Sequence, residues 1–420
     1  MAFEEVLFFG GCLSLVLFLF IAGTFIIVVL SSLKKQESKK LFVPSISVVI
    51  PCFNEEKNIS KCLSAIFGSD YPKNKMEIIV VDDGSTDQTI KIAKSFFKKG
   101  IHLRVIKGNH EGKSIALNLG IKASKNDFIV TIDADTFVDK GSILKLIQPL
   151  AKKEIGASNG SCKASNDSSL ISIFQGVEYN YNNLVRKGFS DFFGTGIWFF
   201  GAFACYRKSA LVRIGFFKKS SLAEDMFTFL ELYSAGFNVV NVFDAFAFTV
   251  APDNLKDFIS QRTRWWGGVL YSLFLNKNVF SIKSNPSVLF LFLNQFWWSF
   301  YALFALPLLI FQFSYWLPFN MGSILQFCIY TFNWFSLAGT FMLIYKIPEW
   351  GISFYSIFGI FSGILGSMMI IYSWRVFKEG VSLKKLFVLF FYFPYTILLN
   401  IIILISLISL AVSRKKFFKD

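Results

Sequence analysis

The chain has 420 residues and a net charge of +15, with six cysteines and two histidines; 54% of its residues are hydrophobic and 18% aromatic. That apolar share exceeds the usual range for soluble domains, and several uncharged apolar runs are long enough to cross a membrane. Cys12, Cys52, Cys62, Cys162, Cys205 and Cys328 form no CxxC pair, and His102 and His110 sit in no zincin or Ser-His-Asp context. Zinc ribbons, disulfide frameworks and those hydrolases are excluded, so acid–base chemistry falls to carboxylates. The basic residues cluster beside apolar runs, where they set topology and meet anionic head groups; no nucleic-acid module accompanies them.

Residues 1–33 predict an N-terminal membrane anchor. The apolar run at 8–33 exceeds a signal-peptide core and lacks a small-residue cleavage site. Glu4 and Glu5 precede it, and Lys34, Lys35, Lys39 and Lys40 follow, so the positive-inside rule places the segment 34–255 in the cytoplasm. From 43 to about 160 the pattern changes. Strands are expected at 45–50, 77–82, 102–106 and 127–133, alternating with helices at 55–67, 87–99 and 113–123, the second capped by Asp87. This alternation predicts an α/β domain with a doubly wound, mostly parallel sheet.

Residues 161–285 are less periodic. Amphipathic helices are expected at 170–185 and 259–275, the latter within an interfacial stretch at 256–285. Four apolar segments follow within 286–413, at about 287–313, 320–345, 352–374 and 386–412. With the anchor they make five spans, N-terminus outside and C-terminus inside. The basic tail at 414–420 (Arg414, Lys415, Lys416, Lys419) agrees with that topology. The loop carrying Arg375, Lys378, Lys384 and Lys385 does not, so one segment is expected to be interfacial or re-entrant.

Open α/β sheets bind ligands beyond the carboxyl ends of their strands. Pro51-Cys52-Phe53-Asn54-Glu55 and Asp82-Asp83-Gly84-Ser85-Thr86-Asp87 fall at such ends, although either composition also serves an ordinary turn. Asp133-Ala134-Asp135 closes the strand at 127–133. Its two carboxylates offer oxygen ligands to Mg2+ or Mn2+, or else make a solvated acidic turn. Glu224-Asp225 supplies either a proton acceptor for an attacking hydroxyl or the acidic first turn of a helix. Glu111-Gly112-Lys113 opens a helix toward a phosphate-like group. Gln261-Arg262-Thr263-Arg264-Trp265 sets guanidinium beside indole, as a diphosphate and sugar site or an interfacial belt would.

In order, the segments containing Pro51–Glu55, Asp82–Asp87, Gly112–Asn118, Asp133–Asp135, Ala223–Asp225 and Gln261–Trp265 resemble the processive branch of the inverting glycosyltransferase family 2. That branch includes synthases of poly-N-acetylglucosamine, hyaluronan and cellulose, and the resemblance covers roughly residues 45–270. It implies a GT-A-like domain inserted between transmembrane helices, and a multi-pass plasma-membrane enzyme with its catalytic domain in the cytoplasm. The implied reaction moves sugar from a UDP-sugar donor to a growing β-linked glycan, coupled to export. Pro51, Asn54, Glu55 and Asp83 would serve the uridine end of the donor and Lys113 its diphosphate. Asp135 and Asp133 would hold Mg2+ or Mn2+. Asp225, beside Glu224, would be the general base, with Ala223 standing where the family has Thr. Gln261, Arg264 and Trp265 would bind acceptor terminus and diphosphate, and Gly201-Ala202-Phe203 resembles the acceptor-side loop.

The same motifs resemble non-processive lipid glycosyltransferases such as ceramide glucosyltransferases, so a lipid acceptor stands beside a glycan. Membrane lipids and an accessory subunit are further partners the resemblance allows; nucleic acid is not. A transporter would carry more ionisable residues within its spans. The glycosyltransferase reading requires that Asp83, Asp135, Asp225 and Arg264 converge on one cleft.

Overall fold

The computed structural model describes residues 2–34, 41–98, 102–219, 223–316, 324–350 and 354–412. The expected basic residues Lys35, Lys39 and Lys40 and the tail Arg414, Lys415, Lys416 and Lys419 lie outside the described residues. Helix α1 (Ala2–Leu33) precedes β1 (Ile46–Cys52), α2 (Ile59–Phe67), β2 (Met76–Asp82), α3 (Thr89–Lys94), β3 (His102–Lys107), α4 (Lys113–Ala123), β4 (Phe128–Ile132) and β5 (Thr136–Val138). Next come α5 (Ser142–Ile147), β6 (Ile155–Ala164), α6 (Leu170–Phe193), β7 (Phe203–Arg207), α7 (Lys208–Arg213), α8 (Glu224–Ser234), β8 (Asn238–Thr249) and α9 (Leu255–Leu275). The described elements that follow are helices: α10 (Pro286–Trp316), α11 (Ile324–Trp334), α12 (Ala338–Trp350), α13 (Phe354–Val376), α14 (Leu383–Phe390) and α15 (Tyr392–Val412).

The strands form one mixed, mostly parallel sheet in the order β3-β2-β1-β4-β7-β6-β8-β5. Strands β3, β2, β1 and β4 run parallel, β7 runs antiparallel to β4 and β6, and β8 is parallel to β6. Strands β1 and β2 are buried along their whole lengths, as their near-continuous apolar sequences require of strands covered on both faces. Val48 and Ile50 pack with the apolar stripe Ile59, Cys62, Leu63 and Ile66 of α2, whereas Val49 joins the core under α4. There α4 approaches so closely that a Cβ on Gly120 would lie 2.4 Å from a Val49 methyl.

The fourth helix has the expected bounds, but the third begins later than 87. Gln88 occupies its N-cap, and Asp87 works from one residue further out, accepting from the Thr89 N–H at 2.9 Å and from the Glu56 N–H at 3.1 Å. Helix α6 is capped by the reciprocal Ser169–Ser172 pair and ends at Gly194, whose φ of 73° suits glycine. It forms the floor on which the apolar helices sit: Gly188 touches Val28 of α1, Phe189 packs on Phe290 of α10 at 4.3 Å, and Phe174 stacks on Tyr395 of α15 at 4.9 Å.

Among the described residues, four helical stretches are long and apolar enough to cross a membrane: Glu4–Leu33, Pro286–Phe311, Ile357–Val376 and Tyr392–Val412. The apolar segment expected at 320–345 is a pair of shorter helices, α11 and α12, bent by 104° at their junction. The segment expected at 386–412 divides into α14 and α15. The chain leaves the sheet domain at Asn285, which bonds the Tyr233 hydroxyl and the Phe193 carbonyl. It returns to the same domain after α13, where Lys163 bonds the Phe377 carbonyl and pairs with Glu379 at 2.9 Å.

Candidate active site

Parallel strands β1, β2 and β4 end side by side, and their C-terminal loops carry the acidic motifs. The first two loops are tied together. Asn54, at a φ of 53°, accepts from the Thr86 N–H through Oδ1 at 2.8 Å, and its own N–H donates to Ser85 Oγ at 3.0 Å. The Glu55 N–H donates to Thr89 Oγ1 at 2.8 Å. Pro51 lies buried inside β1 in register with Val81. Asp83 turns both carboxylate oxygens onto backbone, accepting from the Glu111 N–H at 3.0 Å and the Gly112 N–H at 2.8 Å. Its immediate role is therefore to shape the turn, with Gly112 at a φ of 95°, that starts α4 and delivers Lys113. Phe53 and His110 pack ring to ring at 4.4 Å on the rim of this turn.

Lys113 sits at the centre of the acidic groups, donating to Asp133 Oδ2 at 2.7 Å and to Glu224 Oε1 at 3.0 Å. Burial opposes its charge, but Asp133 and Glu224 hold its ammonium well above the ordinary lysine range. Burial likewise works against Glu224, and Lys113 more than offsets it, so this carboxyl is held below its usual value. Among the described residues no cation pairs with Asp135, which accepts from the Thr136 hydroxyl at 3.2 Å. Burial and the charges of Asp133 and Glu55 push it up to about 6. Glu55 is itself raised, by burial and by Asp133 and Asp87.

Asp225 opens α8 with both oxygens held by backbone: Gly201 N–H donates to Oδ2 at 3.0 Å and Met226 N–H to Oδ1 at 2.8 Å. The Gly201 loop reaches it because the β4–β7 ladder is prolonged by the Asp133 N–H bonding the Ala202 carbonyl at 3.0 Å. Burial and the neighbouring Glu224 raise Asp225 to about 6. A carboxylate so oriented, and close to neutral pH in its affinity for protons, is suited to general-base work.

Among the described residues no three His, Cys, Asp or Glu side chains converge to hold a cation unaided. What exists is a pair, Asp133 and Asp135, with mutual repulsion raising Asp135. That donor set fits a hard divalent cation that takes one or two protein carboxylates and completes its shell with water and phosphate oxygens.

Helix α9, N-capped by Asn254, brings Gln261, Arg262, Arg264 and Trp265 to the same place. Lys113, Asp133, Asp135, Glu224, Asp225, Gln261, Arg264 and Trp265 all line one cavity of about 1530 Å³. Of the expected residues, four do not line it: Pro51 lies within β1, and Asn54, Glu55 and Asp83 lie in the adjoining loops. Asp135, Asp225 and Arg264 thus converge, and Asp83 supports them from one loop away. Arg262 was no part of the expected set. It pairs with Glu178 of α6 at 2.7 Å, while Glu178 also accepts from the Tyr395 hydroxyl of α15, so a buried ionic clasp locks α9 to the floor helix and to the apolar bundle. Its guanidinium lies 4.8 Å from the Trp265 ring. Glu178 and Tyr395 belong to no motif, and nothing local in the sequence announces them.

Residues 47–215 match the profile of glycosyl transferase family 2. An N-acetylglucosaminyltransferase of Bradyrhizobium diazoefficiens is 30% identical over 257 residues, covering 58% of this chain and 53% of that protein. A poly-beta-1,6-N-acetyl-D-glucosamine synthase of Staphylococcus epidermidis is 29% identical over 243 residues, covering 57% of each. The chain thus spans little more than half the length of these relatives. A mannosyltransferase from Pyrobaculum calidifontis, solved with GDP-Man and Mn2+, superposes with a TM-score of 0.57 at 16% identity over 95% of this chain and 98% of that one, a likeness of fold. Residues 47–215 are thus similar to glycosyl transferase family 2, in a protein whose apolar helices make it a membrane protein.

Proposed function

We propose that the protein is an inverting, metal-dependent glycosyltransferase that moves sugar from a UDP-sugar to a growing β-linked glycan and passes the product into its membrane helices. The observation that carries this reading is the single cavity joining the acidic site to α10, α12, α13 and α15. Names of the relatives favour N-acetylglucosamine as the sugar. Lys113 and Arg264 supply positive charge to the diphosphate, and Asp133 and Asp135 would hold Mg2+ or Mn2+. When bound, that cation neutralises charge developing on the departing diphosphate. Asp225 takes the proton from the acceptor hydroxyl, which attacks the anomeric carbon from the face opposite the diphosphate, so configuration inverts.

Two properties of the cavity favour a glycan over an acyl chain. At about 1530 Å³ it exceeds the space one small ligand needs. Its wall also includes Gln295, Ser362 and Asn400, from three apolar helices, each with a buried polar atom lacking a partner. Such groups are costly in a hydrocarbon setting, and a hydroxyl-rich chain would satisfy them. Membranes containing the protein, given labelled UDP-N-acetylglucosamine and Mg2+, are expected to yield a polymer ladder that a chelator abolishes. A single organic-soluble glycolipid would instead establish the lipid transferase.

Supporting a cytoplasmic catalytic domain, Lys34 at the end of α1 and the group Arg375, Lys378, Lys384 and Lys385 all sit on the face that the sheet domain occupies. Helices α10 and α13 begin and end on that domain, so the chain between them crosses an even number of times. Two crossings are α10 and α13, leaving α11–α12 a re-entrant hairpin; α15 is then a fourth crossing that ends on the outer face, so this topology gives up the cytoplasmic C-terminus expected from five spans. Cysteines placed at Ile324 and Tyr345, in a background without Cys12 and Cys328, are expected to react with an impermeant maleimide from the same outer face. Labelling from opposite faces would overturn the hairpin.

A further inference from the structure

Arg186 is the buried cation for which the chemistry above has no use. It lies on α6 and is 6% exposed. Its position is rigid: two residues on, Gly188 abuts Val28 so tightly that a Cβ would come within 2.9 Å of a valine methyl, and Phe189 packs on Phe290. The guanidinium donates through Nη1 to Asn183 Oδ1 at 3.2 Å and through Nη2 to the Gly160 carbonyl at 3.0 Å, with the Asn159 amide beside it. All of these partners are neutral. Among the described residues no carboxylate lies within ion-pairing distance of Arg186, and its Nε–H has no acceptor. Arg262, also in the cavity wall, is matched by Glu178.

An unpaired buried guanidinium is costly, and folds rarely keep one without a ligand to meet it. Arg186 lines the cavity together with Asp225, Asn182, Asn183 and Phe200, and it is near enough to Asp225 for the two charges to interact. The side of Asp225 away from Lys113 and Asp133 is where an attacking hydroxyl must sit. We propose that Arg186 is an acceptor-binding residue, donating through Nε–H to a hydroxyl or acetamido oxygen of the acceptor's terminal sugar and so holding its nucleophilic hydroxyl against Asp225. Asn182 and Asn183, on the same helix and in the same wall, add neutral donors and acceptors suited to sugar hydroxyls.

This inference rests on the glycosyltransferase reading, and one experiment separates the two. Full-length protein in detergent or nanodiscs is given UDP-N-acetylglucosamine and N-acetylglucosamine oligomers, and both UDP release and sugar incorporation are measured. Arg186→Met is expected to raise the acceptor KM by about 10- to 100-fold, the range for losing a hydrogen bond from a charged donor. Donor KM should stay within about twofold, and the ratio of UDP released to sugar incorporated should rise as water replaces the misplaced acceptor. A purely structural loss would lower release and incorporation together. Arg186→Lys keeps the charge but not the Nε–H, and it decides the matter should the methionine variant fail to bind UDP: it too should show the raised acceptor KM. Wild-type acceptor KM and release ratio in the lysine variant would overturn the role of Arg186. Absence of any incorporation by the wild-type protein would instead overturn the reaction itself.

Discussion

Asp225→Asn is expected to lower kcat by about a thousandfold or more, within the range that a positioned general base contributes, while donor affinity changes little. The asparagine is nearly isosteric, so its side-chain oxygen can still accept from Gly201 or Met226, the two N–H groups that orient the native carboxylate. What it cannot do is take a proton. The same residue sets an acid limb. Burial and Glu224 raise Asp225 to about 6, and only its ionised form acts as base, so turnover should fall roughly tenfold per unit as pH drops below that value. Removing the Glu224 charge relieves the repulsion and should move the limb to lower pH. It also frees Lys113 from one of its two carboxylates, so Glu224→Gln is expected to alter donor KM as well. The measurement is kcat against pH with donor held saturating; an acid limb unchanged in Glu224→Gln would reject the coupling.

The parallel half of the sheet was legible because its physics leaves a mark in sequence. Strands β1 and β2 are buried on both faces and read as continuous apolar runs, and α4 was placed at its observed bounds. The mixed half, β7-β6-β8-β5, left no such mark. Strand β6, Ile155–Ala164, is mostly buried yet consists largely of Gly, Ala, Ser and Asn. Its neighbours explain this composition. A Cβ on Gly156 would fall 2.7 Å from Phe237, and one on Gly160 would fall 2.5 Å from both the Phe203 ring and the Ala245 carbonyl. Aromatic residues fill the space on either side, so the strand is selected for smallness, and hydrophobic periodicity cannot find it.

The candidate site divides in a similar way. Residues whose chemistry follows from type and motif, Asp133 and Asp135 beyond a strand end and Asp225 and Arg264 on helices, lie in one cavity. Asp83 was expected at the donor, but its oxygens turn inward to the 111–112 backbone, a choice made by the geometry of a neighbouring loop. Glu178 and Tyr395 matter through Arg262, and they come from helices 84 and 133 residues away from it in the chain, so no local pattern could pair them.

Gly201→Ala should cost most of the activity, though less than removal of the base, for a reason specific to that position. Gly201 is not among the residues with positive φ, so alanine is compatible with its backbone. The obstacle is space. A Cβ there would lie 2.5 Å from Asp225 Cβ, 3.0 Å from Oδ2 and 3.1 Å from Cγ, and the nearest of these atoms sits at the root of a short side chain that cannot swing clear. Either the 201 loop or the start of α8 must shift, and the N–H bond that aims Oδ2 is lost with it. We expect kcat to fall about a hundredfold, in line with the penalty for a displaced catalytic group, with donor affinity retained because Lys113, Asp133 and Asp135 are untouched. Gly194→Ala provides the opposite control. Its φ of 73° makes alanine strained, while no atom lies within 4 Å of the new Cβ. That variant should lose about 1 kcal/mol of stability and keep its kcat. Thermal unfolding and kcat measured on both variants test the contrast: a Gly201→Ala enzyme that turns over at the wild-type rate would mean that Asp225 is not the group whose placement governs the reaction.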